Sequence, residues 1–235
     1  MTKRSAFKIA LAGYAKQANI TIPQGFNTTN TYGGAARTLC KRIQRRNNIP
    51  PSGDMTPRTL LVIGRYLPGG LSMRAQWCMR IVEGPLETLG NNRGPYVAEI
   101  QRLGSEYAPG PWPWCAAATS WAYRCAGWKS WTAFCRGTEE AYVPAWVAAA
   151  KAGKYGMSVV SWRYARAGYP IAYRFSGSVP GHIGLLLARP NLLTGACRTV
   201  EANTSSGLGG SQDDGDGLWR RTRNAKPPQT IISIR

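Results

Sequence analysis

The sequence predicts an α+β chain, on two kinds of element read along its length. Helical signals recur through residues 1–70 and again over 115–127, while strand-like runs follow His182 and span Arg198–Thr204. The 235 residues suffice for one large domain, or for a small domain beside a medium one. An apolar fraction of 43% and nine Trp exclude a disordered chain. No stretch of about 18 apolar residues occurs, so no transmembrane segment is expected. With one histidine, His182, zinc sites of the HExxH or three-His kind cannot be assembled.

The first element runs from Met1 towards Gln17. Basic residues precede an apolar run there, as in a signal peptide, but Lys8 interrupts the run and Lys16 and Gln17 continue it with helical spacing. A helix and no export signal are expected. Charge is shared unevenly: residues 1–80 hold 13 Lys/Arg against Asp54 alone, a net of +12, and residues 81–235 carry the other +7 of the total +19. This asymmetry predicts a basic helical unit over 1–70, a connector over 71–92 and a larger unit over 93–235. The densest run, Lys41–Arg46, has no interleaved aromatic residue, so nucleic acid is not the expected partner. Anionic envelope polymers would be drawn by the same long-range field. A merely solvated helix face is the plainer alternative.

The basic unit repeats itself. A shift of 28 positions superposes Leu11 on Leu39, Asn19 on Asn47, Pro23 on Pro51, Gly25 on Gly53, Thr28 on Thr56 and Thr31 on Thr59. Each copy reads as a helix, an Asn stop, a Pro-x-Gly turn and a Thr at a helix start. The second copy, Ala36–Leu60, resembles the helical peptidoglycan-binding domain found beside many wall hydrolases, through Gln44-Arg-Arg-x-x-Ile49, Ser52-Gly-Asp54 and Thr56-x-x-Thr-Leu60. A generic basic three-helix bundle is the alternative. Between residues 69 and 92, Gly/Pro punctuation surrounds an apolar helical pattern with Trp77, Met79, Ile81 and Val82, read as a connector or a helix docked between units.

The segment Gly110-Pro-Trp-Pro-Trp-Cys115-Ala-Ala-Ala-Thr-Ser-Trp-Ala-Tyr-Arg-Cys125-Ala-Gly127 carries the chemistry. Two prolines stop any earlier element, and Cys115 opens an Ala-rich helix closed by Gly127. Ala118, Trp121, Ala122 and Cys125 recur at i, i+3, i+4, i+7 and predict one continuous buried face. At a helix N-terminus, free N–H groups and the macrodipole favour thiolate, making Cys115 the candidate nucleophile. Cys125 is read as structural. A thiolate needs a base, and His182, between a Pro-Gly turn and an apolar run suited to a buried strand, is the one imidazole on offer. Over Arg198–Thr204 a period-2 pattern puts Glu201 and Asn203 on one face, either of which can orient the imidazole.

Together these pieces resemble the CHAP family, cysteine- and histidine-dependent amidohydrolases/peptidases that cleave peptidoglycan. The carriers are Trp112-x-Trp-Cys115-Ala-Ala-x-x-Ser-Trp-Ala, Gly181-His-Ile-Gly184 and Val200-Glu-Ala-Asn-Thr204, in the family's order, and the likeness spans about residues 95–235. The resemblance implies a papain-like core, Cys115 as nucleophile, His182 as base, and Glu201 with Asn203 completing the site. It offers Trp112 and Trp114 as substrate-binding residues and peptidoglycan as the partner of a monomeric enzyme.

Two departures stand out. The calcium-binding acidic loop of some relatives is replaced by Tyr107-Ala-Pro-Gly-Pro-Trp-Pro-Trp114, and Asp213-Asp-Gly-Asp216 lacks alternate ligand spacing, so no metal or other cofactor is expected. The stretch 128–178 is longer than a minimal link, and most of its aromatic residues, Trp131, Tyr142, Trp146, Trp162, Tyr164, Tyr169 and Tyr173, are read as core, with a substrate groove as the alternative. Five thiols besides Cys115 and no CxxC pair give no disulfide framework. The expected setting is a phage endolysin made in the host cytoplasm and released to the periplasm and wall at lysis. A non-enzymatic cationic envelope-binding protein is the alternative in another class.

Overall fold

The computed structural model describes residues 1–29, 31–137, 140–174, 179–205 and 215–235. Helix α1 (Lys3–Gln17) starts where the Thr2 side chain accepts from the Ser5 amide at 3.3 Å. After α1 and α2 (Gly34–Arg46), Asn19 and Asn48 turn the chain with φ of +52° and +55°. Helix α3 (Pro57–Ile63) opens on Thr56, whose hydroxyl accepts from the Thr59 amide at 3.1 Å.

The repeat is visible at Gly25 and Gly53, whose φ values of +76° and +80° demand the same left-handed turn. It fails at the next signal, because α2 opens on Gly33 and neither Thr28 nor Thr31 caps it. That stretch is instead tied to α1. Ser5 donates to the Thr28 carbonyl at 2.6 Å, and the Lys8 ammonium donates to Asn27 Oδ1 at 3.1 Å and to the Thr31 carbonyl at 2.8 Å. The lysine that broke the apolar run is thus only 1% exposed.

The helices continue with α4 (Leu71–Ile81), α5 (Pro95–Gly104), α6 (Cys115–Ala126), α7 (Trp131–Gly137) and α8 (Val143–Lys151). The segment read as a connector holds a core helix: Ala75, Trp77, Cys78, Met79 and Ile81 of α4 are buried. One hydrophobic core runs from Phe7 and Leu11 through Cys78 and Trp121 to Val200 and Ile234. The change of charge near residue 70 is therefore not a boundary in packing.

Helix α6 lies inside that core. The single buried face expected for it is corrected: every residue but Arg124 is buried, the pattern of a helix surrounded on all sides. The Trp121 indole donates to the Pro57 carbonyl at 3.3 Å, and the Tyr123 hydroxyl donates to the Gly168 carbonyl at 2.8 Å. Close approach depends on two glycines. A Cβ on Gly64 would stand 2.6 Å from the Cys125 carbonyl oxygen, and one on Gly104 2.0 Å from that of Ala117. Gly127, with φ of +90°, ends the helix as its sequence position predicts. Trp131, Trp146 and Tyr173 join the buried aromatics, while Tyr142 and Tyr164 remain exposed.

The strands are β1 (Gly84–Pro85), β2 (Met157–Val160), β3 (Pro170–Tyr173), β4 (His182–Leu186), β5 (Ala196–Thr204), β6 (Gly217–Asn224) and β7 (Thr230–Ile234). They form one sheet in the order β1-β6-β5-β4-β3-β7-β2, antiparallel at every pairing. The chain is α+β. Ala172, Ile183, Leu185, Val200 and Ala202 belong to the core shared with the helices. The alternate residues Ile171, Tyr173, Leu186 and Cys197 build a smaller cluster. Among the described residues, no helix is long and apolar enough to cross a membrane.

Candidate active site

Cys115 is the first residue of α6, preceded by Trp114 in a non-helical conformation. It is 3% exposed and lies in the wall of a cleft of about 530 Å³, lined by residues of the segments 107–113, 141–144 and 180–181. The first segment is held from behind by Gln101, a buried side chain. Its amide donates to the carbonyls of Gly110 and Trp112 at 3.0 and 3.1 Å and accepts from the Gly110 amide at 3.1 Å. The Trp112 indole donates to the Ala108 carbonyl at 3.1 Å, which fixes the ring against the cleft.

His182 opens β4, opposite Tyr173 on β3, and is fully buried. Its Nε2 lies 3.0 Å from Glu201 Oε2, and the Cys115 side chain is near enough to act on the ring electrostatically. The carboxylate is over-determined. Arg223 of β6 donates through Nη2 to Oε2 at 2.5 Å and through Nε to Oε1 at 2.9 Å, and Thr199 Oγ1 donates to Oε1 at 2.5 Å. The Arg223 guanidinium also lies 5.2 Å from the centre of the Tyr173 ring, which stacks on His182 at 6.0 Å between centroids. His182, Glu201, Arg223 and Tyr173 therefore close a ring of contacts.

The electrostatics follow from this packing. Burial by itself would lower the His182 pKa, but the charge and hydrogen bond of Cys115, with those of Glu201, outweigh it and raise it to about 9. Burial would raise that of Glu201, but the hydrogen bonds and charges of His182 and Arg223 bring it down to about 2. The imidazolium thus faces the Glu201 carboxylate. Burial pushes the Cys40 and Cys197 thiols up to about 11 and that of Cys135 up to about 12. Cys125, against Cys78, is likewise raised by burial. All six cysteines are free thiols.

Of the residues read from sequence, Cys115, His182 and Glu201 come together. Asn203 is buried nearby in sequence, but the alternation expected to align it with Glu201 is broken. The ladder slips between Ala202 and Thr204, and Asn203 takes φ of +58° at the bulge. Trp112 lines the cleft, whereas Trp114 does not: its side chain is buried in the core, with its indole donating to Glu87 Oε1 at 2.8 Å. The sequence reading missed Arg223, Thr199 and Gln101, and it placed Tyr173 in the core without linking it to His182. It quoted Gly184 without seeing its purpose. Gly184 pairs with Glu201, and a Cβ there would stand 2.3 Å from Glu201 Cγ, so a bare backbone makes room for the carboxylate to reach His182. Alternate residues Trp219, Arg221 and Arg223 on one strand face were the available signal for the arginine.

Among the described residues no group of three or more His, Cys, Asp or Glu side chains could hold a metal ion; Asp213 and Asp214 lie outside those residues. No family model, curated protein or solved structure matches this chain. A sulfur at a helix start, a buried imidazole near it and a carboxylate on the imidazole Nε2 are the groups that a nucleophile, base and orienter would require.

Proposed function

We propose that this protein is a cysteine-dependent amidohydrolase of peptidoglycan, of the CHAP type and with a papain-like core, acting as a phage lysin. The observation that carries the reading is the buried His182–Glu201 pair, with Cys115 near enough to act on the ring, beside an open cleft. In this scheme the Cys115 thiolate attacks the amide carbonyl, and backbone N–H groups at the start of α6 meet the developing oxyanion. His182 gives its proton to the leaving amine, then takes one from the water that hydrolyses the thioester. Glu201, clamped by Arg223, keeps Nε2 engaged so that Nδ1 serves the sulfur. Asn203 takes no step in the scheme.

The substrate class rests on the resemblance of the Cys115, His182 and Glu201 motifs and of the basic helical segment. The net charge of +19 supports it by favouring approach to an anionic envelope. The test is turbidity loss of purified cell walls with wild type beside Cys115→Ala. Wild type clears and releases free amines; Cys115→Ala does not. Equal clearing by both rejects the mechanism, and wall pelleting by wild type without amine release assigns the chain to cationic envelope binding instead.

A further inference from the structure

We infer that the surface built from residues 161–166, 189–195 and 226 is a docking site for a bilayer carrying anionic phospholipid, into whose interface Leu192 and Leu193 insert. It shares no residue with the cleft beside Cys115, so its role is independent of the peptidoglycan reading. Residues 141–200 hold seven Lys/Arg and neither Asp nor Glu, and residues 217–235 are likewise free of acidic side chains. Within that acid-free chain three large apolar side chains stand in water: Leu193 is 86% exposed, Tyr164 74% and Leu192 42%. Arg163, Arg166 and Arg189, on the same segments, are exposed as well, and Lys226 is half-buried.

Contacts tie these segments together. Arg189 donates through Nη2 to the Arg163 carbonyl at 2.9 Å, and Gly195, at the end of the turn that follows, accepts from the Ala225 amide at 2.9 Å. The Lys226 ammonium lies 5.7 Å from the centre of the Trp162 ring, and the Arg163 guanidinium lies 5.0 Å from it. Trp162 itself packs on the smaller core cluster, which anchors the surface to the sheet. The turn is held from within: Asn191 Oδ1 accepts from the Leu193 and Thr194 amides at 2.9 Å each, and the Gly195 amide donates to the Asn191 carbonyl at 2.8 Å. Asn191 and Gly195 are residues that such a turn needs. Leu192 and Leu193 serve no turn geometry and belong to neither core cluster.

An exposed apolar tip beside cations matches the layers of an anionic interface. Aliphatic side chains enter the acyl boundary, tyrosine stays among the headgroups, and Lys/Arg meet the lipid phosphates. Nucleic acid fits less well. Leucines offer nothing to a base or a phosphate, and the Trp162 ring on which a base would stack is engaged by Arg163 and Lys226.

The test is co-sedimentation of the full chain with vesicles of phosphatidylglycerol and phosphatidylethanolamine and with vesicles of phosphatidylcholine, beside its binding to a single-stranded oligonucleotide, all at physiological ionic strength. Expected is binding to the anionic vesicles and little to the neutral ones. Arg163→Ala with Arg166→Ala should lower the partition coefficient about fivefold for each cation removed. Leu192→Ser with Leu193→Ser should lower it on the order of tenfold. Both pairs are exposed and should keep the wild-type Tm. Arg45→Ala with Arg46→Ala, which removes the same charge from α2, should cost less than the Arg163 pair. Equal binding to both kinds of vesicle, an unchanged partition coefficient in the leucine pair, or an equal loss in the α2 pair overturns the inference. So does capture of the oligonucleotide more tightly than of the vesicles, lost with Arg163 and Arg166, which assigns the surface to nucleic acid.

Discussion

Gly184→Ala probes the site through a residue that touches no substrate. The added Cβ would lie 2.3 Å from Glu201 Cγ and 3.1 Å from the Val200 carbonyl oxygen, and the Glu201 side chain is fully buried and held at both oxygens. Overpacking of this kind costs about 1–3 kcal/mol. For a chain of this length that corresponds to a fall in Tm of roughly 2–12 °C. Relief of the clash requires Glu201 to leave His182 Nε2, so the rate should fall on the order of a hundredfold or more, the range of general acid–base contributions. Wall clearing and thermal unfolding by circular dichroism read the two effects. In a Glu201→Ala background the clash partner is gone, and Gly184→Ala should then lower Tm much less than it does alone. A wild-type rate in Gly184→Ala, or equal Tm losses in both backgrounds, would refute the reasoning.

Arg223→Met takes one of two cations from the buried Glu201 carboxylate, leaving it the imidazolium alone; an effect of up to about 3–5 kcal/mol is expected in chemical denaturation, and an unchanged midpoint would show that Arg223 is dispensable. His182, raised from 6.5 to about 9, contributes stability that is complete below pH 6.5 and fades as pH rises through 9; Glu201, lowered from 4.5 to about 2, contributes stability complete above 4.5 that fades as pH falls through 2. Tm against pH should therefore plateau between 4.5 and 6.5, and the alkaline limb of kcat should fall near 9, with a limb at 6.5 counting against the ion pair. Deleting residues 1–70 strips one side of α6 and should give an unfolded, inactive product by circular dichroism, whereas a folded and active 71–235 fragment would contradict the shared core.

What the sequence made legible was local. A Pro-flanked Cys before an Ala-rich run is a helix start wherever it occurs, and His182 needed only to be the sole imidazole. Glu201 followed from strand alternation, but Asn203 did not, since a bulge belongs to the pairing of two strands and leaves no mark in either alone. Arg223 was hidden for the same reason, as its reach to Glu201 depends on the register of β5 against β6. Trp112 and Trp114 look equivalent in sequence, yet the entry angle of α6 sends one to the cleft and the other into the core. The expected break near residue 70 came from charge, which is written on surfaces; the interior carries Phe7, Cys78 and Trp121 across that point without interruption.

The proposed nucleophile and base stand on different layers, Cys115 on a helix and His182 on the sheet, and the packing between those layers sets their separation. The thickness of the core is thus the ruler of the reaction. A shift of about 1 Å in catalytic geometry can cost on the order of a hundredfold in rate. A slight lift of α6 would therefore abolish the proposed activity while every helix and strand remained formed. Side chains behind α6, remote from any substrate, set the gap across which the proton must pass.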